Sequence, residues 1–203
     1  MARRLRLSAP GRAWVALAAL LALGSVFAWW VPAVLLDWQP ALAASEPWRA
    51  WTAAFVHWSA LHLGGNLGAT AAVAAFGWAA RVPPGATLAW CLAWPLTHVG
   101  LLLRPELAHY GGLSGLLHAG VAVAVLWLLV AGQGRQRAIG ALVGAGLVAK
   151  LLLEQPWGTV LRHPADWDIA VAPLAHATGA VAGLLCAALA LLAGGADSRE
   201  FRS

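Results

Sequence analysis

Residues 113–131 read LSGLLHAGVAVAVLWLLVA, a run without a single charged side chain that opens on Ser114 and His118. A bilayer's hydrocarbon core is crossed by a helix of roughly 20 apolar residues, and this run has that length. Ser114 and His118 are four residues apart, so they share one face of the helix they begin. Gly112 and Gly115 flank the serine, so other backbone can approach the hydroxyl closely.

The pattern recurs along the chain. Apolar runs fall at roughly 14–36, 60–80, 86–103, 113–131, 137–153 and 170–194. Turn-like breaks separate several of them: Arg81-Val-Pro-Pro-Gly, Gly132-Gln-Gly-Arg and Gln155-Pro-Trp-Gly. The expected fold is all-α, a polytopic membrane protein with six transmembrane helices in one bundle, and a single domain over residues 1–203. Composition points the same way. The chain is 61% hydrophobic and 10% charged, where soluble domains have about half and a quarter. The excess calls for lipid as solvent. The run from Trp14 exceeds the roughly 7–15 residues of a signal peptide's apolar core, so it reads as a retained first helix. Cys91 and Cys186 lie inside apolar runs and read as small core hydrophobes.

A net charge of +5 suggests nucleic acid only if the cations form a patch, and here they sit in short loops between apolar runs. Six spans place both termini on one side. With them lie Arg3, Arg4, Arg6, Arg12, Arg81, Arg135, Arg137, Arg199 and Arg202, against Arg49, Arg104 and Arg162 opposite. That asymmetry predicts cytoplasmic termini. The acids Asp37, Glu46, Glu106, Glu154, Asp166 and Asp168 fall outside. So do eight tryptophans (Trp29, Trp30, Trp38, Trp48, Trp51, Trp58, Trp157 and Trp167), an expected interfacial belt with a partly embedded first loop from Asp37 to Trp58.

Polar side chains within spans need a reason. His57, His62 and Asn66 stand at the start of the second run, Ser114 and His118 at the start of the fourth, and His176 about two turns into the sixth. All three runs begin outside, so these groups share a depth and can focus into one cavity. A serine needs a base within hydrogen-bond reach to become a nucleophile, and His176 is the candidate. Backbone N–H groups at a helix start can hold a developing oxyanion. No acid falls within a span beside His176, so the expected machinery is a Ser–His dyad. Each piece alone has a plainer reading. A Gly-x-Ser-Gly string also serves helix packing, Gly179-x-x-x-Gly183 alone is a packing motif, and a lone membrane histidine is as readily structural as functional.

Together the pieces resemble the rhomboid family of intramembrane serine proteases over about residues 45–190. Trp48-Arg49, then His57, His62 and Asn66, resemble its first loop and second helix. Gly112-Leu113-Ser114-Gly115 is similar to its nucleophile motif, and His176-Ala-Thr-Gly179 through Gly183 to its base-bearing helix. The resemblance implies that Ser114 attacks the scissile carbonyl and His176 takes its proton. It implies that the Ser114 N–H, Asn66 and His62 hold the oxyanion. The loop from Glu154 to Asp168 would then cap the cavity, and the fifth span would be a lateral gate. Many rhomboids carry an aromatic residue four positions after the serine. His118 stands there instead, as in the rhombosortase branch, whose usual following glycine is here Ala119.

That branch implies a bacterial inner membrane, an active site facing the exterior, and transmembrane substrates with a C-terminal Gly-Gly, one helical anchor and a basic tail. No cofactor, metal or nucleic acid is implied. Hydrolysis and transfer to an amine acceptor both remain open. Two other readings are a non-catalytic rhomboid-like binder of membrane helices and a metal or haem carrier using the membrane histidines.

Overall fold

The computed structural model describes residues 10–165 and 167–200, with side chains through 193. Arg3, Arg4, Arg6, Asp166 and Arg202 lie outside the described residues, as do the side chains of Asp197, Arg199 and Glu200. The described chain is helical. Its α-helices are α1 (Arg12–Ala28), α2 (Arg49–Thr52), α3 (Ala60–Ala79), α4 (Pro84–Val99), α5 (Ser114–Ala131), α6 (Arg135–Glu154) and α7 (Pro173–Glu200). Short 3-10 turns fill the first loop and extend α4 to Leu103. The only β pairings among the described residues are isolated bridges, Trp38 with Tyr110 and Arg162 with Val171.

Among the described residues four stretches are long and apolar enough to cross a membrane: Pro84–Leu103, Ser114–Ala131, Arg135–Glu154 and Pro173–Ala193. A count of six is therefore not reached on length and hydropathy. The α1 helix stops at Ala28, not near residue 36, and with 17 residues is too short. Pro32 has no N–H to give a continuing helix, and the apolar residues 33–35 form a 3-10 turn instead. The α3 helix has 20 residues, but His62, Asn66 and four glycines dilute its hydropathy. The sixth run forms a longer helix than expected, reaching Glu200. Trp38 is not a belt residue, being 1% exposed in the core beside Leu107 and Tyr110.

What positions the site is the contact between α5 and α7. Gly179 lies directly against the Gly115 carbonyl, and Gly183 against that of Ala119, with no room at either glycine for a Cβ. Small residues four apart on both helices bring the two backbones together, and one turn earlier this apposition places Ser114 opposite His176. On the other flank Trp90 of α4 donates its indole N–H to the Leu116 carbonyl at 2.8 Å. Thr178 of α7 bonds the Thr97 carbonyl at 2.9 Å. The α5 helix is thus enclosed. By contrast α6 touches its neighbours along one narrow stripe, and its apolar stretch is only 6% buried. Leu142, Leu152 and Leu153 point outward, a surface that suits lipid.

The first loop is organised around one cation. Arg49 donates to the carbonyls of Val34 and Asp37 and to the Asp37 carboxylate, and to Glu46 at 2.6 Å. The other oxygen of Asp37 meets His109 at 2.6 Å. This cluster pins the loop to the segment before α5, where Trp38 and Tyr110 exchange backbone hydrogen bonds of 2.8 and 2.9 Å.

Candidate active site

The segment entering α5 explains how Ser114 comes to line a cavity. After Tyr110, Gly111 fits against Val56, and Gly112 takes φ +128, a conformation that other residues rarely adopt. The Gly112 N–H bonds the Ala53 carbonyl at 2.9 Å. Ser114 then opens the helix, so its N–H has no intrahelical acceptor. His176 lies in the first turn of α7, nearer the helix start than the sequence indicated, after a proline that suits the first helical position. The Ser114 hydroxyl and His176 Nε2 are 3.0 Å apart.

Both groups line a cavity of about 440 Å³ together with His62, Asn66, Tyr110, His118, Glu154 and Trp167. His62 and Asn66 come from α3 and are each 5% exposed. His62 Nδ1 accepts the Trp58 N–H at 3.3 Å, so the proton resides on Nε2. A Cβ built on Gly112 would lie 2.7 Å from that Nε2 and 3.7 Å from the Asn66 amide nitrogen. Two side-chain donors thus face the backbone just ahead of Ser114, which has a third donor in its own N–H. The Asn66 amide has no partner among the described residues. Three N–H donors on residues lining one cavity suit an oxyanion.

His118 stacks on His176 with ring centroids 4.3 Å apart and planes 13° from parallel. Its Nδ1–H donates to the Ser114 carbonyl at 2.6 Å, so the imidazole forms a fixed floor beneath the His176 ring. His57 does not line the cavity. Its ring packs 4.7 Å from that of His62, Nδ1–H bonds the Phe55 carbonyl at 3.1 Å, and Nε2 is buried without a partner. Burial pushes His57 down to about 4, outweighing the raising effect of the Phe55 bond, so it is neutral near pH 7. Tyr110 presents its phenol beside Ser114 and the Gly115 amide without a well-formed bond to either, and burial raises its pKa.

One neighbour of the histidine was missed. Glu154, at the last position of α6, places a carboxylate oxygen 2.7 Å from His176 Nδ1. The expectation of no acid beside the base is therefore corrected. Hydropathy puts Glu154 in the following loop, whereas α6 runs one residue further and ends against α7. Lys150, one turn earlier, holds the other carboxylate oxygen. The tautomer follows: His176 Nδ1–H donates to Glu154, which leaves Nε2 free to accept from Ser114. Among the described residues, His118, Glu154 and His176 also each offer a ligand atom within 4.8 Å of the others, enough for a metal ion. The His176 Nδ1 already bonds Glu154 and the His118 Nδ1 the Ser114 carbonyl, so a metal there would compete with the His176–Glu154 hydrogen bond.

The loop after α6 lies over the cavity. Arg162 bonds the Leu153 and Glu154 carbonyls, capping α6. Ser59, at the start of α3, donates to Asp168 at 2.7 Å. Trp167 packs on Gly65, where a Cβ would come within 2.7 Å of the indole. Trp157 is 64% exposed and takes no part in the lining. No protein-family model, curated protein or solved structure matches this chain.

Proposed function

We propose that the chain is an intramembrane serine protease of the rhomboid type. The observation that carries this reading is the 3.0 Å contact of Ser114 with His176 Nε2 in a cavity lined by His62 and Asn66. In the proposed reaction the Ser114 oxygen bonds to the scissile carbonyl carbon as its proton passes to His176. The carbonyl oxygen becomes an oxyanion held by the Ser114 N–H, Asn66 and His62. The C–N bond then breaks, and the His176 proton goes to the departing amine. Water attacks the acyl-enzyme, gives a proton to His176 and releases the acid, and Ser114 recovers its proton from His176.

The substrates are membrane-anchored helices cut near the outer face, with the termini of this chain cytoplasmic and α1 and α3 joining the four long apolar helices as spans of one bundle in a bacterial inner membrane. The lipid-facing α6 is the natural element to move aside for entry, and the loop through Trp167 the natural cap. His118 beneath the base favours the rhombosortase branch, and with it substrates ending in Gly-Gly, a helix and a basic tail. The test is a fluorophosphonate probe on the purified chain. Labelling is expected at Ser114 in the parent protein and is absent in His176→Ala. A parent chain that takes no label while well folded sinks the reading.

The oxyanion assignment has its own consequence. Removing one preorganised donor lowers kcat by roughly 10²–10³-fold, so Asn66→Ala is expected to lose that much with little change in KM. Single-turnover cleavage assays measure it. A loss below about fivefold assigns the Asn66 amide elsewhere.

A further inference from the structure

The reaction proposed above rests on two residues, yet the base has a third group fixed to it. We infer that Glu154 is a positioning residue that completes a Ser114–His176–Glu154 triad spread over α5, α7 and α6. The inference depends on the protease reading and extends it. Glu154 stands 2.7 Å from Nδ1 while Ser114 stands 3.0 Å from Nε2, so the two partners occupy opposite nitrogens of one ring.

The stacked His118 ring restricts tilting of the His176 ring but does not set its proton. The carboxylate does. As an acceptor only, it requires Nδ1 to carry hydrogen. Nε2 then receives the serine proton while Glu154 stays ionised and takes none. Lys150 keeps the carboxylate in place.

The carboxylate also ties the base to the helix with the least protein around it. Because α6 is held by a narrow stripe, its position decides whether Glu154 reaches His176. The base is fully oriented only when α6 is docked at its Glu154 end.

The experiment compares parent, Glu154→Gln, Glu154→Asp and Ser114→Ala chains on one helical substrate in proteoliposomes. A glutamine can turn its amide N–H₂ toward Nδ1 and favour the wrong tautomer. Glu154→Gln is therefore expected to lose roughly 10²–10⁴-fold in kcat, with KM within about threefold and an unchanged melting temperature. Glu154→Asp, which restores an acceptor at shorter reach, is expected to recover at least about tenfold of that loss. Should Glu154→Gln fail to fold, slowed fluorophosphonate labelling of Ser114 in Glu154→Asp is the expected result, and parent-like labelling overturns the assignment. A Glu154→Gln chain with parent kcat overturns it, as does a defect confined to KM, which would mark a docking contact only. Activity lost on dialysis against EDTA and restored by Zn²⁺ also overturns it, since His118, Glu154 and His176 would then be ligands. If Ser114→Ala cleaves as well as the parent, the protease reading itself falls, independently of Glu154.

Discussion

Ser114→Ala is expected to lower cleavage of a helical membrane substrate by roughly 10⁴–10⁶-fold, the scale seen when a serine nucleophile is removed from a site that keeps its oxyanion donors. The size of the loss follows from what remains. Without the hydroxyl no acyl-enzyme forms, and His176 can only assist water. The Ser114 N–H, His62 and Asn66 still face the carbonyl, so a residual rate above the uncatalysed one persists. The fold survives the change. The hydroxyl's one well-formed bond is to His176, and losing one such bond costs about 1 kcal/mol. Alanine is also a good helix former. Initial rates from proteoliposomes, alongside melting curves in detergent, separate chemistry from stability. Cleavage within about tenfold of the parent by a folded Ser114→Ala chain would remove Ser114 from the mechanism.

The second large effect is on stability. Arg49→Ala is expected to destabilise the protein by about 3 kcal/mol, at the low end of the range for breaking a buried ion pair. Asp37 is fully buried and Arg49 is 5% exposed, so water does not replace the lost partner. The Asp37 carboxylate keeps two other contacts, Gln39 at 2.8 Å and His109 at 2.6 Å, which is why the low end applies. The Asp37 carbonyl and the Glu46 carboxylate lose a donor as well, and the Val34 carbonyl keeps only Gln39 at 3.3 Å. Arg49→Lys keeps the charge but not the fork of donors, and should fall between. Equilibrium unfolding in mixed micelles measures the difference. A loss under about 1 kcal/mol would show that the cluster is not what holds the first loop. Catalysis is expected to fall too, because the pinned loop carries Trp38 and through it the Tyr110–Gly112 segment that faces His62.

The site and its surroundings were not equally legible. Ser114, His118, His62 and Asn66 stand out because each is a polar group in an apolar run, and four-residue spacing puts each pair on one face. His176 follows by the same reasoning from α7. Glu154 escaped because an acid at the end of a span looks like any solvated loop acid, and nothing local tells that α6 ends against α7. Asp37 escaped in the same way, since only folding of the first loop puts it under Arg49. Hydropathy also overran α1. Trp29 to Leu36 is as apolar as the helix before it, and only Pro32 hints that the chain turns. Gly112 reads in the sequence only as room beside the serine, whereas its positive φ emerges from the turn that the Ala53 carbonyl and Val56 impose on the segment before α5.

On the protease reading, the order of the helices decides when Ser114 becomes reactive. Ser114 opens α5, but its base arrives 62 positions later in the chain. While the chain is being synthesised, a ribosome that has inserted α5 and is still making α6 holds an inert hydroxyl. The proposed base reaches Ser114 only when α7 enters and Gly179 and Gly183 close on Gly115 and Ala119. On that reading the glycine seam is also a clock, withholding the proposed activity until the chain's own assembly is finished.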